Sequence, residues 1–121
     1  MMKTYFISGH LDLTEDEFNE HYGPIIDLAL SDQDSFVIGD ARGADTIAQA
    51  YLTNKTSRVI VYHMFESPRN NVGDFPTIGG FRSDNERDSS MTQNSDHDIA
   101  WVRPGRKKSG TAKNIERRKI K

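Results

Sequence analysis

The stretch SFVIGDARGAD, residues 35–45, decides the fold, because an apolar run passes directly into a turn rich in glycine and polar residues. The run Ser35–Ile38 has the β-branched and aromatic composition of a buried strand. A helix is predicted from about Asp45 to Leu52, and the Asp45 side chain is well placed to cap its N-terminus. A strand joined to a helix by so short a turn is typical of parallel α/β sheets.

Strands and helices alternate along the rest of the chain. Three further segments have the composition of strands: Lys3–Ser8, Arg58–His63 and Asp98–Val102. Thr14 and Glu17 have the spacing of a capping box, so a helix is predicted after Thr14. Gly23-Pro24 should break it into two short helices or kink it. Two more helices are predicted: Asn85–Thr92 and Thr111–Lys119.

This alternation predicts an α/β fold, a Rossmann-like three-layer sandwich with a parallel sheet of four or five strands, in one domain over residues 1–121. Residues 66–82 contain two prolines, three glycines and two asparagines, so a long loop without regular structure is predicted there. Trp101 falls in a predicted central strand, where its ring would pack in the core. In such sheets, ligands bind at the carboxyl ends of the strands.

Composition excludes several classes of protein. The 121 residues include no cysteine, which removes disulfides, zinc ribbons, iron–sulfur clusters and thiol nucleophiles. No apolar run reaches the roughly eighteen residues of a membrane span, so no membrane association is expected. Residues 1–9 become polar too quickly for a signal peptide. We therefore expect a cytoplasmic protein.

The net charge of −2 conceals an asymmetry. Residues 1–60 carry ten acidic and four basic side chains, whereas residues 61–121 carry eight acidic and twelve basic ones. From Arg103 to Lys121, nine bases accompany the single acid Glu116. Such a run can face nucleic acid or phosphate, or it can be the solvated side of a terminal helix. Because the first half is acidic and no aromatic residue interrupts the run, nucleic acid is an alternative partner and not the favoured one.

Two glycine-containing loops are candidate phosphate sites. In the first, Gly39 and Gly43 permit a close backbone approach, and Arg42 can bind phosphate in bidentate fashion. Asp40 in the same loop can accept hydrogen bonds from ribose hydroxyls. In the second loop, residues 103–111, hydroxyl and amide groups precede a helix and can hold phosphate at its N-terminus.

Five short motifs follow one another in a specific order. They are Ile7-Ser8-Gly9-His10, Gly39–Asp45, Arg69–Gly73, Asn85–Asp88 and Gly110-Thr111. In this order the chain resembles the SLOG superfamily, and within it the small YspA/YpsA-like branch. The superfamily also includes the DNA-processing protein DprA and the cytokinin-activating lonely guy enzymes. The resemblance spans nearly the whole chain, although His10 stands where the family commonly has arginine and the loop from Pro104 to Thr111 is longer and more basic.

Members of this superfamily bind nucleotides or nucleotide-derived ligands, so the resemblance implies the same class of ligand here. Together with the two loops, it predicts the following ligand-binding residues: Ser8, Gly9, His10, Gly39, Asp40, Arg42, Gly43, Ala44, Asp45, Asn85, Arg87, Pro104, Gly105, Ser109, Gly110 and Thr111. No metal and no cofactor are expected, because the acidic residues near positions 84–98 lack a recognised ligand spacing. Family members continue into another strand after the last helix, so an open sheet edge and a homodimer or larger assembly are expected.

Three functions are open at this point: recognition, sequestration or sensing of a nucleotide; an N-glycosidase or phosphoribohydrolase; and a nucleic-acid-binding module that uses the basic C-terminus. Binding without chemistry is favoured, because N-glycosidic cleavage needs a carboxylate near the anomeric carbon. The first acid of the last helix, Glu116, lies about 500° of helix rotation from the helix start. It should pair with a neighbouring base such as Arg117 or Lys119. Asp40 and Asp45 are the remaining carboxylates for the enzymatic alternative.

Overall fold

The computed structural model describes residues 2–120, which form five strands and five helices. The strands are β1 (Thr4–Ile7), β2 (Ser35–Gly39), β3 (Val59–Met64), β4 (Thr77–Phe81) and β5 (His97–Ile99). The helices are α1 (Glu15–His21), α2 (Gly23–Ser31), α3 (Ala44–Leu52), α4 (Asp84–Gln93) and α5 (Gly110–Lys119). Within residues 2–120, none of these helices combines the length and the apolar character that crossing a membrane requires.

All five strands are parallel and form one sheet in the order β4-β3-β2-β1-β5. Ile7 of β1 is paired with Ile38 of β2 and with Ile99 of β5, so these three strands end at nearly the same level. The chain runs outward from β1 to β4 and then crosses to β5 on the other side of β1. In open parallel sheets, the ligand crevice lies where the order reverses in this way.

Two apolar cores cover the two faces of the sheet. On one face, Ile7, Ile38 and Val61 pack with side chains of α1, α2 and α3, among them Phe18 and Leu52. On the other face, alternate strand residues pack against α4 in a smaller core: Phe6, Val37, Tyr62 and Met91. Helix α5 packs beside α4. The prediction of a Rossmann-like three-layer α/β fold with a parallel sheet is confirmed.

The first helix begins and breaks as predicted. The Thr14 hydroxyl accepts a hydrogen bond from the N–H of Glu17 at 3.1 Å, and the Glu17 carboxylate accepts one from the N–H of Thr14 at 3.0 Å. The two bonds complete a capping box. Tyr22 then separates α1 from α2, and Pro24 occupies the first turn of α2, where proline is tolerated.

Trp101 lies outside the sheet, which corrects the prediction of a central strand over residues 98–102. β5 is an edge strand that ends at Ile99. The N–H of Trp101 donates to the Tyr22 hydroxyl at 3.1 Å and not to a neighbouring strand. The indole ring stacks on the His21 ring with centroids 4.0 Å apart. The Trp101 backbone is thus bound to a side chain beyond the end of β5 and takes no part in the sheet.

Strand β4 corrects the prediction that residues 66–82 form a loop without regular structure. Gly79 lies against the buried ring of His63 in β3, and a Cβ at Gly79 would be 2.0 Å from the His63 Cε1. Only glycine permits this close approach between the two strands. Gly79 and Gly80, which signal a loop in the sequence, belong to an exposed edge strand, and Pro76 directly precedes it.

Candidate functional site

A cavity of about 500 Å³ lies at the carboxyl ends of β1 and β2, beside α4 and α5. Its wall comes from the turn after β1, the turn after β2, one side of α4 and the start of α5. Small-molecule sites have volumes of roughly 300–1,000 Å³, so the cavity can hold a nucleotide-sized ligand. Of the sixteen residues predicted to bind a ligand, ten line this cavity.

The turn after β1 contributes a hydroxyl without a partner. Ser8 lines the cavity and is 6% exposed, and its Oγ has no hydrogen-bond partner within residues 2–120. The adjacent Gly9 packs so closely that a Cβ would lie 2.5 Å from both the Tyr22 hydroxyl and the Ala44 Cβ. A buried hydroxyl without a partner is costly, so a ligand that bonds to Ser8 would recover that free energy.

His10 lines the cavity, but its polar atoms hold the protein together. Its Nε2 accepts a hydrogen bond from the N–H of Arg103 at 2.8 Å, and its backbone oxygen accepts one from the N–H of Ala44 at 3.1 Å. Burial, followed by the charges of Arg103 and Arg106, lowers the pKa of His10. The neutral imidazole is therefore the form that fixes the loop after β5 to the turn after β1.

Arg103 and Arg106 fasten the same two loops by ion pairs. Arg103 reaches Glu17 at 2.6 Å and Asp12 at 3.1 Å, and Arg106 reaches Asp12 at 2.8 Å. The hydrogen bond from Arg103 lowers the pKa of Glu17 to about 2. Hydrogen bonds from Arg106 and Arg103 lower the pKa of Asp12. Two bases of the C-terminal basic run are thus paired with acids of the first half of the chain.

Asp40 does not line the cavity, although the two arginines that bind it, Arg69 and Arg87, both do. Its Oδ1 accepts hydrogen bonds from Arg69 at 2.9 Å and from Arg87 at 2.8 Å, and its Oδ2 accepts from the backbone N–H of Arg69 at 2.8 Å. Burial opposes ionisation of Asp40, but the hydrogen bonds from Arg69 and the charge of Arg87 outweigh it and lower the pKa. Both oxygens are occupied, so Asp40 has no acceptor to spare for the predicted bond to a ribose hydroxyl.

The start of α3 corrects the prediction that Asp45 is the N-cap. The N-cap is Gly43, whose φ is +75° and at which a Cβ would lie 2.3 Å from the backbone oxygen of Leu11. Asp45 is the second residue of the helix, and its Oδ2 accepts a hydrogen bond from the N–H of Ala41 at 3.1 Å. The Asp45 side chain lines the cavity and is 7% exposed.

Burial gives Asp45 an unusual ionisation. It raises the pKa of the Asp45 carboxyl to about 7, although the charge of Arg87 opposes the change. A Cβ at Gly39 would lie 2.7 Å from the Asp45 Oδ2 and 3.1 Å from the Arg87 Cζ, so glycine is needed for both side chains to fit at the end of β2. Arg87 lines the cavity, but its guanidinium pairs with Asp40 and, at 2.9 Å, with Asp88. Carboxyls with pKa values near neutrality are concentrated at functional sites.

Arg42 is the cavity arginine that forms no ion pair within the described part of the chain. Its side chain is exposed at the end of β2. The other arginines of the cavity wall, Arg69, Arg87 and Arg106, each contact at least one carboxylate within 3.0 Å. The guanidinium of Arg42 therefore remains available to an anionic ligand.

The start of α5 faces the same cavity. Ser109 caps the helix, with its Oγ accepting a hydrogen bond from the N–H of Ala112 at 3.1 Å. Ser109, Gly110 and Thr111 all line the cavity, and a Cβ at Gly110 would meet open space. The first N–H groups of a helix have no partner inside the helix, and together they bind anions.

Six predicted site residues do not line the cavity. They are Asp40, Gly43, Ala44, Asn85, Pro104 and Gly105. Asn85 instead accepts a hydrogen bond from Arg117 at 2.6 Å. Pro104 and Gly105 form an exposed turn ahead of α5, with Gly105 at a φ of +87°. The second loop thus contributes its last three residues to the cavity and not its proline–glycine turn.

Several cavity residues are absent from the predicted set. Met91 is fully buried against the sheet and lines the cavity with Phe6. It is the one apolar side chain of α4, which is a signal that could have placed it inward. Asn114 lies three residues after Thr111, on the same face of α5. Arg69 belongs to a motif that carried the family resemblance, but its contact with Asp40 spans 29 residues of sequence.

The fold and this cavity together define a Rossmann-like α/β protein with a polar cavity at the carboxyl edge of a parallel sheet. A scan against protein-family models, a search of curated proteins and a search of solved structures found no match to this chain.

Proposed function

We propose that this protein binds a nucleotide or a nucleotide-derived ligand in the cavity at the carboxyl ends of β1 and β2, and recognises, sequesters or senses it without chemical change. The observation that carries the proposal is the guanidinium of Arg42, which forms no ion pair among the described residues, in the same cavity as the first N–H groups of α5. Both kinds of group bind phosphate.

Two further features support this class of ligand. The buried Ser8 hydroxyl in the cavity wall has no hydrogen-bond partner among residues 2–120, and a phosphate or sugar oxygen would satisfy it. Phe6 and Met91 supply an apolar part of the wall that suits a sugar or a base. A few polar groups combined with an apolar wall are typical of small-molecule sites. The resemblance of the sequence motifs to the SLOG superfamily supports the same ligand class.

The test is to incubate the purified protein with a panel of linear and cyclic nucleotides, and to identify by mass spectrometry what is recovered from the denatured protein and what is left in solution. Recovery of an unchanged nucleotide supports the proposal. Ser8→Ala should weaken that binding without lowering the melting temperature, because the Ser8 hydroxyl makes no hydrogen bond to the part of the chain that the structure describes. Thr77→Ala, on the exposed β4 far along the sheet from β1, is the matched control. Failure of every nucleotide to bind would refute the proposal.

A second candidate function is hydrolysis of an N-glycosidic bond, and Asp45 is the observation that favours it. A cavity carboxyl with a pKa of about 7 can exchange a proton near neutral pH, as a general acid or base must. Glu116 contacts Lys119 at 3.7 Å and does not line the cavity. Release of free base that disappears in Asp45→Asn and persists in Glu116→Gln would support the enzyme. Intact nucleotide in every sample would exclude it.

A further inference from the structure

Asp45 differs from every other carboxylate of the cavity wall in having no ion pair within residues 2–120. The others each contact an arginine: Asp12 contacts Arg106 at 2.8 Å, Asp84 contacts Arg69 at 3.2 Å, and Asp88 contacts Arg87 at 2.9 Å. Asp45 accepts one hydrogen bond, from the N–H of Ala41 to its Oδ2. Its Oδ1 receives none from the described residues, and the residue as a whole is 7% exposed. A carboxylate oxygen that receives no hydrogen bond from the described residues, in a side chain that lines a cavity, is an acceptor that a ligand can use.

Arg87 does not supply a hydrogen-bond donor to the Asp45 Oδ1. Arg87 lies close enough for its charge to act on Asp45, but its Nη1 is bound to Asp40 and its Nη2 to Asp88. Gly39 opens the space beside both groups, since a Cβ there would touch the Asp45 carboxylate at 2.7 Å. Asp45 therefore lines the cavity with one carboxylate oxygen that receives no hydrogen bond from the described residues, while the neighbouring carboxylates are paired with arginines.

We propose that Asp45 determines the specificity of this site by accepting hydrogen bonds from the ribose hydroxyls of the ligand. The inference rests on the proposed function, in which phosphate occupies the start of α5 and Arg42. A carboxylate is the group that dinucleotide-binding folds use to hold ribose hydroxyls. The residue that the sequence predicted for this role is Asp40. Both of its carboxylate oxygens already accept hydrogen bonds, from Arg69 and Arg87. Asp45 is the cavity carboxylate that remains available to ribose hydroxyls.

Such a contact makes sugar selection depend on pH. The charged or titratable groups that act on Asp45 are Arg87 and Asp88 of α4, Asp40 at the end of β2, and Tyr22 between α1 and α2. Burial still raises the pKa of Asp45 to about 7. An ionised carboxylate is the stronger acceptor, so preference for ribose should be greater at about pH 8 than at about pH 6.

The experiment compares ribonucleoside 5′-monophosphates with their 2′-deoxy and 3′-deoxy counterparts by isothermal titration calorimetry, using each of the common bases. The ratio of the two dissociation constants is the readout, because ionisation of the phosphate affects both ligands alike. For the wild-type protein we expect the ribonucleotide to bind at least about tenfold more tightly than one of the deoxy forms. In Asp45→Asn this ratio should fall to within about twofold and lose its dependence on pH.

Glu116→Gln is the control variant, since Glu116 lies on α5 outside the cavity wall, and its ratio should equal that of the wild type. Thermal melting verifies that each variant is folded. Equal binding of ribo and deoxy forms by the wild type, or an unchanged ratio in Asp45→Asn, overturns this inference and leaves the proposed function standing. Failure of all the nucleotides to bind overturns both.

Discussion

The Arg87 Nη1 lies 2.8 Å from the Asp40 Oδ1, and the two side chains are 7% and 1% exposed. The pair joins α4 to the end of β2, and Arg69 adds a second guanidinium to the same carboxylate at 2.9 Å. Removal of one partner from a buried ion pair is destabilising, because the other partner loses a charged hydrogen-bond partner that water does not replace. Asp40 is thus a structural anchor.

Removal of the Asp40 carboxylate should therefore cost stability. Asp40→Ala removes the buried acceptor of the Arg87 Nη1, while Asp88 still binds the Arg87 Nε and Nη2. We therefore expect the free energy of unfolding to fall by about 1.5–3 kcal/mol, the range for hydrogen bonds to charged groups. Urea denaturation measures this change. Asp84→Ala is the matched comparison, since Asp84 also contacts Arg69 and Arg87 but its side chain is 62% exposed, and it should cost less than about 1 kcal/mol. Similar losses in the two variants would contradict the role given to Asp40.

Asp45→Asn should increase the stability of the protein, relative to the wild type, as the pH rises. The pKa of Asp45 is about 7 in the folded protein, whereas 3.8 is the ordinary value for an aspartate exposed to water, as in the unfolded chain. The folded state therefore binds the proton more tightly. Protonation of Asp45 therefore contributes folding stability that is fully present below about pH 4. This contribution declines as the pH rises toward 7 and is absent above it. The whole loss is of the order of 4 kcal/mol. Urea denaturation of both proteins at about pH 5 and pH 8 should show the variant gaining on the wild type as pH rises. A pH-independent difference would be inconsistent with a buried, titrating Asp45.

Arg42→Ala should weaken ligand binding without affecting the fold. A hydrogen-bonded contact to a charged group contributes about 1.5–3 kcal/mol, so the dissociation constant for the nucleotide should rise by about 10-fold to 150-fold. The melting temperature should not change, because Arg42 is exposed and unpaired within residues 2–120. Arg82→Ala removes another exposed arginine, outside the cavity wall, and should leave binding intact. A lower melting temperature with unchanged affinity would instead make Arg42 a structural residue.

The outer edge of β4 is where we expect two copies of the chain to associate. Thr77–Phe81 is an exposed edge strand without a charged residue or proline, and Ile78 is 41% exposed. Edge strands without such protection pair readily with other strands. The opposite edge, β5, contains Asp98, which contacts Arg118 at 3.0 Å. Light scattering at micromolar concentration should give a dimeric mass, and Ile78→Lys should give a monomeric one. A monomeric wild type would refute the expectation.

The elements that were predicted correctly depend on neighbours in the sequence. The capping box of Thr14 and Glu17 lies within one helical turn, and the strands β1, β2 and β3 are apolar runs of four to six residues. Local composition determines both features. The last helix, predicted over Thr111–Lys119, is found at Gly110–Lys119.

The parts that were missed depend on contacts distant in sequence. Asp40 looked like a free acceptor, because the arginines that bind it are 29 and 47 residues away. Gly79 looked like a loop residue, because its reason for being glycine is the ring of His63 in the next strand. Asp45 looked like an N-cap, because only the packing of Gly43 against the Leu11 backbone moves the cap two residues earlier. Tertiary packing decided each of these positions.

Acids from the first half of the chain pair with bases from the second half. Two fragments cut between these halves should therefore be able to reassemble. Between residues 65 and 76 the chain has neither helix nor strand, and a cut after Asn70 yields fragments with formal net charges of −6 and +4. Arg87 and Arg103 of the second fragment would find Asp40 and Glu17 of the first, and β5 would still have β1 to pair with. Two separately made peptides should therefore attract each other in dilute buffer and rebuild the sheet on mixing, more slowly as salt is added. Circular dichroism of the mixture against the sum of its parts would record that reassembly.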